Sequence, residues 1–216
     1  MTSHLARIRL LTELAKLVST VLSPLLTPSY GMFLAINISP KVLDGTGQRA
    51  WLLVIFLGIT CMLPMATIAV LHNFNIVKDK RMTRRRERLI PYLTAAAYYG
   101  IAVWYLMYNH EPQWLAMYVA GGGLACLVSA IVNLRWKISA HMAGIGGVLA
   151  FLWQLDAMEL SVISPVWMTF FICTTIMLCG VLGSARMLLK RHDFLQVLAG
   201  FVNGLVCVSL MMRLFG

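Results

Sequence analysis

Two histidines stand where they could handle an anion. His141 closes the basic segment RWKISAH at 135–141, and His192 lies in SARMLLKRHD at 184–193. A third basic segment, KDKRMTRRRERLIP at 78–91, carries Arg81 and Arg88. Guanidinium forks match the oxygens of a phosphate. Imidazole changes charge near neutral pH, so a histidine among arginines suits the handling of an anion. Lys137 and Ser139 lie just before His141, and Arg186 lies just upstream of His192. A lone histidine at a helix end is ordinarily structural, and Lys and Arg beside a helix ordinarily anchor it. Two histidines among several arginines form an anion-handling site once the chain brings them to one face.

The elements that must do so are written in the composition. Only 12% of the 216 residues are charged and 60% are hydrophobic, where a soluble domain carries roughly 25% charged residues. So short a chain cannot hide that much apolar side chain in one water-facing core. Lipid resolves the discrepancy, which excludes a soluble enzyme or a secreted domain. The expected fold is all-α: a single transmembrane domain over 1–216, a polytopic bundle of six to seven helices.

Crossing the hydrocarbon takes about 20 apolar residues. Candidate spans are Leu10–Ile38, Trp51–Phe74, Ile90–Tyr108, Trp114–Leu134, His141–Leu155, Val162–Gly183 and Phe194–Phe215. The first contains Pro24 and Pro28, which break the hydrogen-bond ladder, so it reads as kinked or as a re-entrant hairpin. The fifth is short. The N-terminal MTSHLARIRLLTELAKLV lacks a small-residue cleavage site after an apolar core and reads as a retained first helix. GGG at 121–123, GIGG at 144–147 and the Gly200/Gly204 pair let helix backbones approach closely. GIGG has no phosphate-loop lysine, so packing is the better reading there. The five cysteines sit inside apolar stretches without a CxxC pair and read as buried thiols.

Charge is distributed unevenly. The net +10 would point to nucleic acid in a soluble protein. Here the basic residues lie between spans, where headgroups and topology account for them and no nucleic-acid partner is implied. Two spans separate each basic segment from the next, so all three emerge on one face. The intervening loops NHEPQ and QLDAMEL carry Glu111, Asp156 and Glu159 and no Lys or Arg. The positive-inside rule assigns the basic face to the cytoplasm.

The three segments resemble the signature blocks of the type 2 phosphatidic acid phosphatase family, at 81–91, 137–141 and 184–196. Its first block is Lys, six residues, Arg-Pro; this chain has Arg81, six residues, Arg88, with the proline displaced to Pro91. Its second is Pro-Ser-Gly-His, here Ile138-Ser139-Ala140-His141. Its third is Ser-Arg, five residues, His, three residues, Asp, here Ala185-Arg186, five residues, His192, and then Gln196 in place of the Asp.

The resemblance implies a membrane-embedded lipid phosphatase that needs no cofactor and no metal, in a bacterial inner membrane. Arg81, Arg88 and Arg186, with Lys137 and Ser139, would bind the substrate phosphate. His192 would attack phosphorus to give a phosphohistidine, and His141 would protonate the leaving alkoxide. Gln196, four residues on, would share a helix face with His192 and accept from its far ring nitrogen, fixing the tautomer without supplying charge. Asp193 is expected to point away. The partners implied are a lipid phosphate and the surrounding membrane lipids.

Three rivals stand beside it. A catalytically impaired relative would bind lipid phosphates without turnover, because Gln196 replaces the Asp. A transporter would carry an ionisable residue mid-helix, and these spans show none. A membrane prenyltransferase or CDP-alcohol phosphotransferase would need clustered aspartates to hold Mg²⁺, whereas Asp44, Asp79, Asp156 and Asp193 are scattered. A cysteine introduced in the 156–159 loop is expected to react with a membrane-impermeant thiol reagent on intact cells. Reaction only after lysis would reverse the orientation.

Overall fold

The structure, a computed structural model, describes residues 2–39, 46–74 and 89–216. Helices and their connections account for all of it, and the described residues contain no strand. In chain order they are α1 (Thr2–Val21), α2 (Thr27–Ile38), α3 (Thr46–Leu57), a π-helical turn Gly58–Met62, α4 (Leu63–Asn73), α5 (Leu89–Tyr108), α6 (Gln113–Asn133), α7 (Ala140–Ala157), α8 (Pro165–Leu188) and α9 (Phe194–Phe215).

Five helices among the described residues are long and apolar enough to cross a membrane: Gln48–Asn73, which joins α3 to α4, and α5, α6, α8 and α9. They correspond to five of the seven expected spans. The other two fall short for different reasons. The first is not one helix: Ser23-Pro24 sits in a turn between α1 and α2, and Pro28 falls in the first turn of α2, where a missing N–H costs nothing. The fifth is α7, 18 residues with twelve of them buried by the rest of the bundle. His141, Gln154 and Asp156 lower its apolar content, and its glycines let other helices pack closely around it.

At three glycines α7 and α9 meet backbone on backbone. A Cβ at Gly200 would enter the carbonyl of Ser139, one at Gly204 that of Ala143, and one at Gly146 that of Phe201, while one at Gly147 would crowd Val208. Residue numbers rise together along both helices, so α7 and α9 run parallel, with their N-termini at the same end. The loops enforce this: the Lys137 ammonium donates to the Arg191 carbonyl, and the Ser139 N–H donates to the Gln196 carbonyl at 3.2 Å. At the opposite end, the Val162 N–H donates to the Ile38 carbonyl at 3.0 Å and ties α2 to the loop before α8.

One polar cluster between helices is fully matched. Asn203 of α9 donates to the Ala125 carbonyl and to Ser129 Oγ of α6, each at 2.9 Å, and Cys207 Sγ approaches its Oδ1 at 3.3 Å. Pro64 explains the π-helical turn: without its N–H, one carbonyl in the preceding turn loses its partner, and the ladder widens so that the Leu63 N–H reaches Gly58. Three helices end in a residue with positive φ, namely His110, Glu159 and Lys190. In each case the next N–H returns five residues, to Leu106, Leu155 and Arg186, the bonding of a Schellman cap made without glycine. Of the cysteines, Cys61, Cys179 and Cys207 are buried, Cys126 is half-buried and Cys173 is exposed. The expectation of buried thiols fails at Cys173, because among the described residues no helix covers that face of α8.

Gly204→Ala is expected to destabilise the fold by about 1–3 kcal/mol through overpacking, read as a lower midpoint of unfolding in mixed micelles. Gly180→Ala is the control: nothing lies within 4 Å of its added Cβ, so it is expected to leave the midpoint unchanged or raise it. Equal effects at the two positions would remove the glycine contact as the reason α7 and α9 pair.

Candidate functional site

Parallel packing of α7 and α9 sets two helix N-termini side by side at the basic end, and their positive dipole ends face the same way. Ser139 caps α7. It is fully buried, and its Oγ accepts from the Met142 N–H. His141 follows in the first turn, half-buried, with Nε2 3.1 Å from the Ser19 carbonyl of α1. A carbonyl only accepts, so Nε2 of His141 carries a hydrogen here. Arg186 comes from the last turn of α8, where a cation suits the helix dipole. The Schellman turn at Lys190 then reverses the chain and delivers His192, only 8% exposed, just before α9.

The two histidines and Arg186 meet at one cavity of about 360 Å³. His141, Arg186 and His192 line it together with Ala140, Pro91 and Tyr92. Below them the walls become apolar: Pro28, Phe56, Ile68, Ala95, Val119 and Val208 line the shaft, with Tyr99 and Tyr118 deep inside. Thr60, from the π-helical turn, lines it as well. Ala140 and Gly147 both border the cavity, and seven residues of α7 separate them, so it runs about 10 Å into the bundle at ~1.5 Å per residue.

Behind His192 stands a short chain of hydrogen bonds. Its Nδ1 lies 3.0 Å from Gln196 Oε1. Gln196 Nε2 donates to Asp193 Oδ2 at 2.6 Å, and the Gln196 backbone N–H donates to Asp193 Oδ1 at 2.9 Å. The expected His192–Gln196 contact is thus present. The expectation that Asp193 points away is corrected: it is the N-cap of α9, outside the helical turn, and capping curls its carboxylate back over Gln196.

The remaining candidates divide. Arg81 and Arg88 lie outside the described residues. Lys137 is directed at the Arg191 carbonyl, and Ser139 serves as the cap; neither lines the cavity. Both help to hold the two loops and the start of α7. Reasoning from sequence missed Asp193, although an Asp three residues before a Gln at a helix start is a capping signal. It also missed Tyr92 and Thr60, which carry no signal in an apolar span.

No family model matches this chain, and neither does any curated protein or solved structure.

Proposed function

We propose that the chain is a membrane-embedded lipid phosphate phosphatase that hydrolyses a phosphomonoester or diphosphate of a lipid through a phosphohistidine on His192. One observation carries this reading: His141, Arg186 and His192, from separate elements, border a single cavity that turns apolar below them. A lipid phosphate has the same division into anionic head and hydrocarbon tail. Two helix N-termini beside the mouth favour the anion further.

In this mechanism Nε2 of His192 attacks phosphorus as the bond to the lipid oxygen breaks. His141 gives its proton to that oxygen, and its contact with the Ser19 carbonyl holds the ring in place. Arg186, with Arg81 and Arg88, holds the phosphoryl oxygens as charge develops. Water then adds to phosphorus, His141 takes up the released proton, the P–N bond breaks and phosphate leaves. In the same reading α7 is a sixth crossing of a bacterial inner membrane, and the basic end faces the cytoplasm.

A second reading has one observation in its favour. The group bonded to Nδ1 of His192 is the neutral Gln196 amide, so the chain would bind lipid phosphates without turnover. Phosphate release from a panel of lipid phosphates in detergent, with EDTA present, separates the two. Metal-independent turnover is expected, abolished in His192→Ala and lowered about 10²–10⁴-fold in His141→Ala, the range of a lost general acid. Turnover that survives His192→Ala would end the phosphatase reading, and binding without release would establish the second.

The shaft has its own test. Ala95→Phe fills it without touching the mouth, so KM for a long-chain lipid phosphate is expected to rise at least tenfold. A short, water-soluble phosphomonoester should be unaffected. Equal effects on both would mean that the tail lies elsewhere.

A further inference from the structure

We infer that Asp193 is a positioning residue that sets the tautomer of His192 through the side-chain amide of Gln196. The inference deepens the proposed reaction, and only its consequence for rate depends on that reading. Ionised, the Asp193 carboxylate only accepts hydrogen bonds, so the atom of Gln196 facing Asp193 Oδ2 at 2.6 Å is the NH₂ group. The amide is thereby oriented, and its carbonyl oxygen is the atom 3.0 Å from Nδ1 of His192. A carbonyl oxygen also only accepts, so Nδ1 carries the hydrogen. In the neutral ring Nε2 is then the basic nitrogen, as a nucleophile requires.

The backbone pins the first link. Asp193 Oδ1 accepts from the Gln196 N–H at 2.9 Å as the α9 cap, which holds Oδ2 toward the amide. A negative charge two groups from the imidazole therefore does through orientation what a directly bonded carboxylate would do by contact. It also polarises the amide toward His192, since hydrogen bonds in a chain strengthen one another.

This predicts a specific failure. Asn caps a helix as well as Asp does, so Asp193→Asn keeps α9. Its oxygen must stay on the Gln196 N–H, which turns its NH₂ toward the Gln196 side chain. Gln196 then presents its own oxygen to Asn and its NH₂ to His192, and the hydrogen of the ring moves to Nε2. In a Ser-His-Asp triad, the corresponding wrong tautomer costs about 10⁴ in kcat with the geometry intact.

The test is nitrogen NMR of the detergent-solubilised chain with ¹⁵N-labelled histidine, the His192 signals being those lost in His192→Ala. Wild type is expected to show the Nδ1–H form and Asp193→Asn the Nε2–H form. Turnover should fall about 10²–10⁴-fold in kcat with little change in KM. The double variant Asp193→Asn/Gln196→Glu supplies a carboxylate that accepts both from Asn and from Nδ1–H, and it should restore both the tautomer and the turnover. An unchanged tautomer in Asp193→Asn, or no restoration in the double variant, overturns the inference. A reversed tautomer with unchanged turnover upholds the relay and overturns His192 as the nucleophile.

Discussion

Close approach of α7 to α9 is the constraint on which the rest of the structure depends. Between helices in a lipid environment there is little hydrophobic drive, so association rests on packing and hydrogen bonds. Gly146, Gly147, Gly200 and Gly204 remove the side chains that would hold the two backbones apart. Because the helices run parallel, that approach aligns their N-termini. The cap Ser139, the ring of His141, the cap Asp193 and the ring of His192 therefore all belong to one end of one contact. Side-chain chemistry at the mouth of the cavity is a consequence of glycine between these two helices.

The other helices complete what that pair begins. α6 is joined to α9 through Asn203, whose amide satisfies Ala125 and Ser129 inside the bundle. A buried amide of this kind costs little when each of its groups is matched, and it fixes the register of the two helices. α5 packs on α6 through Tyr99, against Gly122 and Gly123, and that ring closes one side of the shaft. The widened turn at Gly58–Met62 closes another side with Phe56 and Thr60. The result is a cavity with ionisable groups at its rim and aromatic and aliphatic walls below. Trp51, Trp104, Tyr108, Trp153 and Trp167 are exposed near the end opposite the basic loops, where amphipathic rings suit a bilayer interface.

What the sequence determined by itself is the class of the molecule and the ends of its parts. Apolar length specified the five helices long enough to cross a membrane to within a few residues, because lipid demands that length whatever the neighbours are. Alternation of basic and acidic loops put His141 and His192 at one end, and the helical period put Gln196 beside His192. Breaks were less legible. Pro24 ends α1 as its chemistry requires, yet the caps at His110, Glu159 and Lys190 use residues that give no warning of positive φ, since the usual glycine is absent.

Only the tertiary structure decided what those groups do. Lys137 and Ser139 have the chemistry of phosphate ligands, and the fold also gives each a local bond, to the loop and to the helix start. Asp193 was set aside on helical periodicity, which does not govern a cap: outside the helix its carboxylate returns to the first turn. That α7 is the central helix was likewise invisible, because burial depends on which helices surround it. Sequence records the period and polarity of each segment; which atoms then meet is fixed by how closely two backbones can approach, and that is a property of pairs.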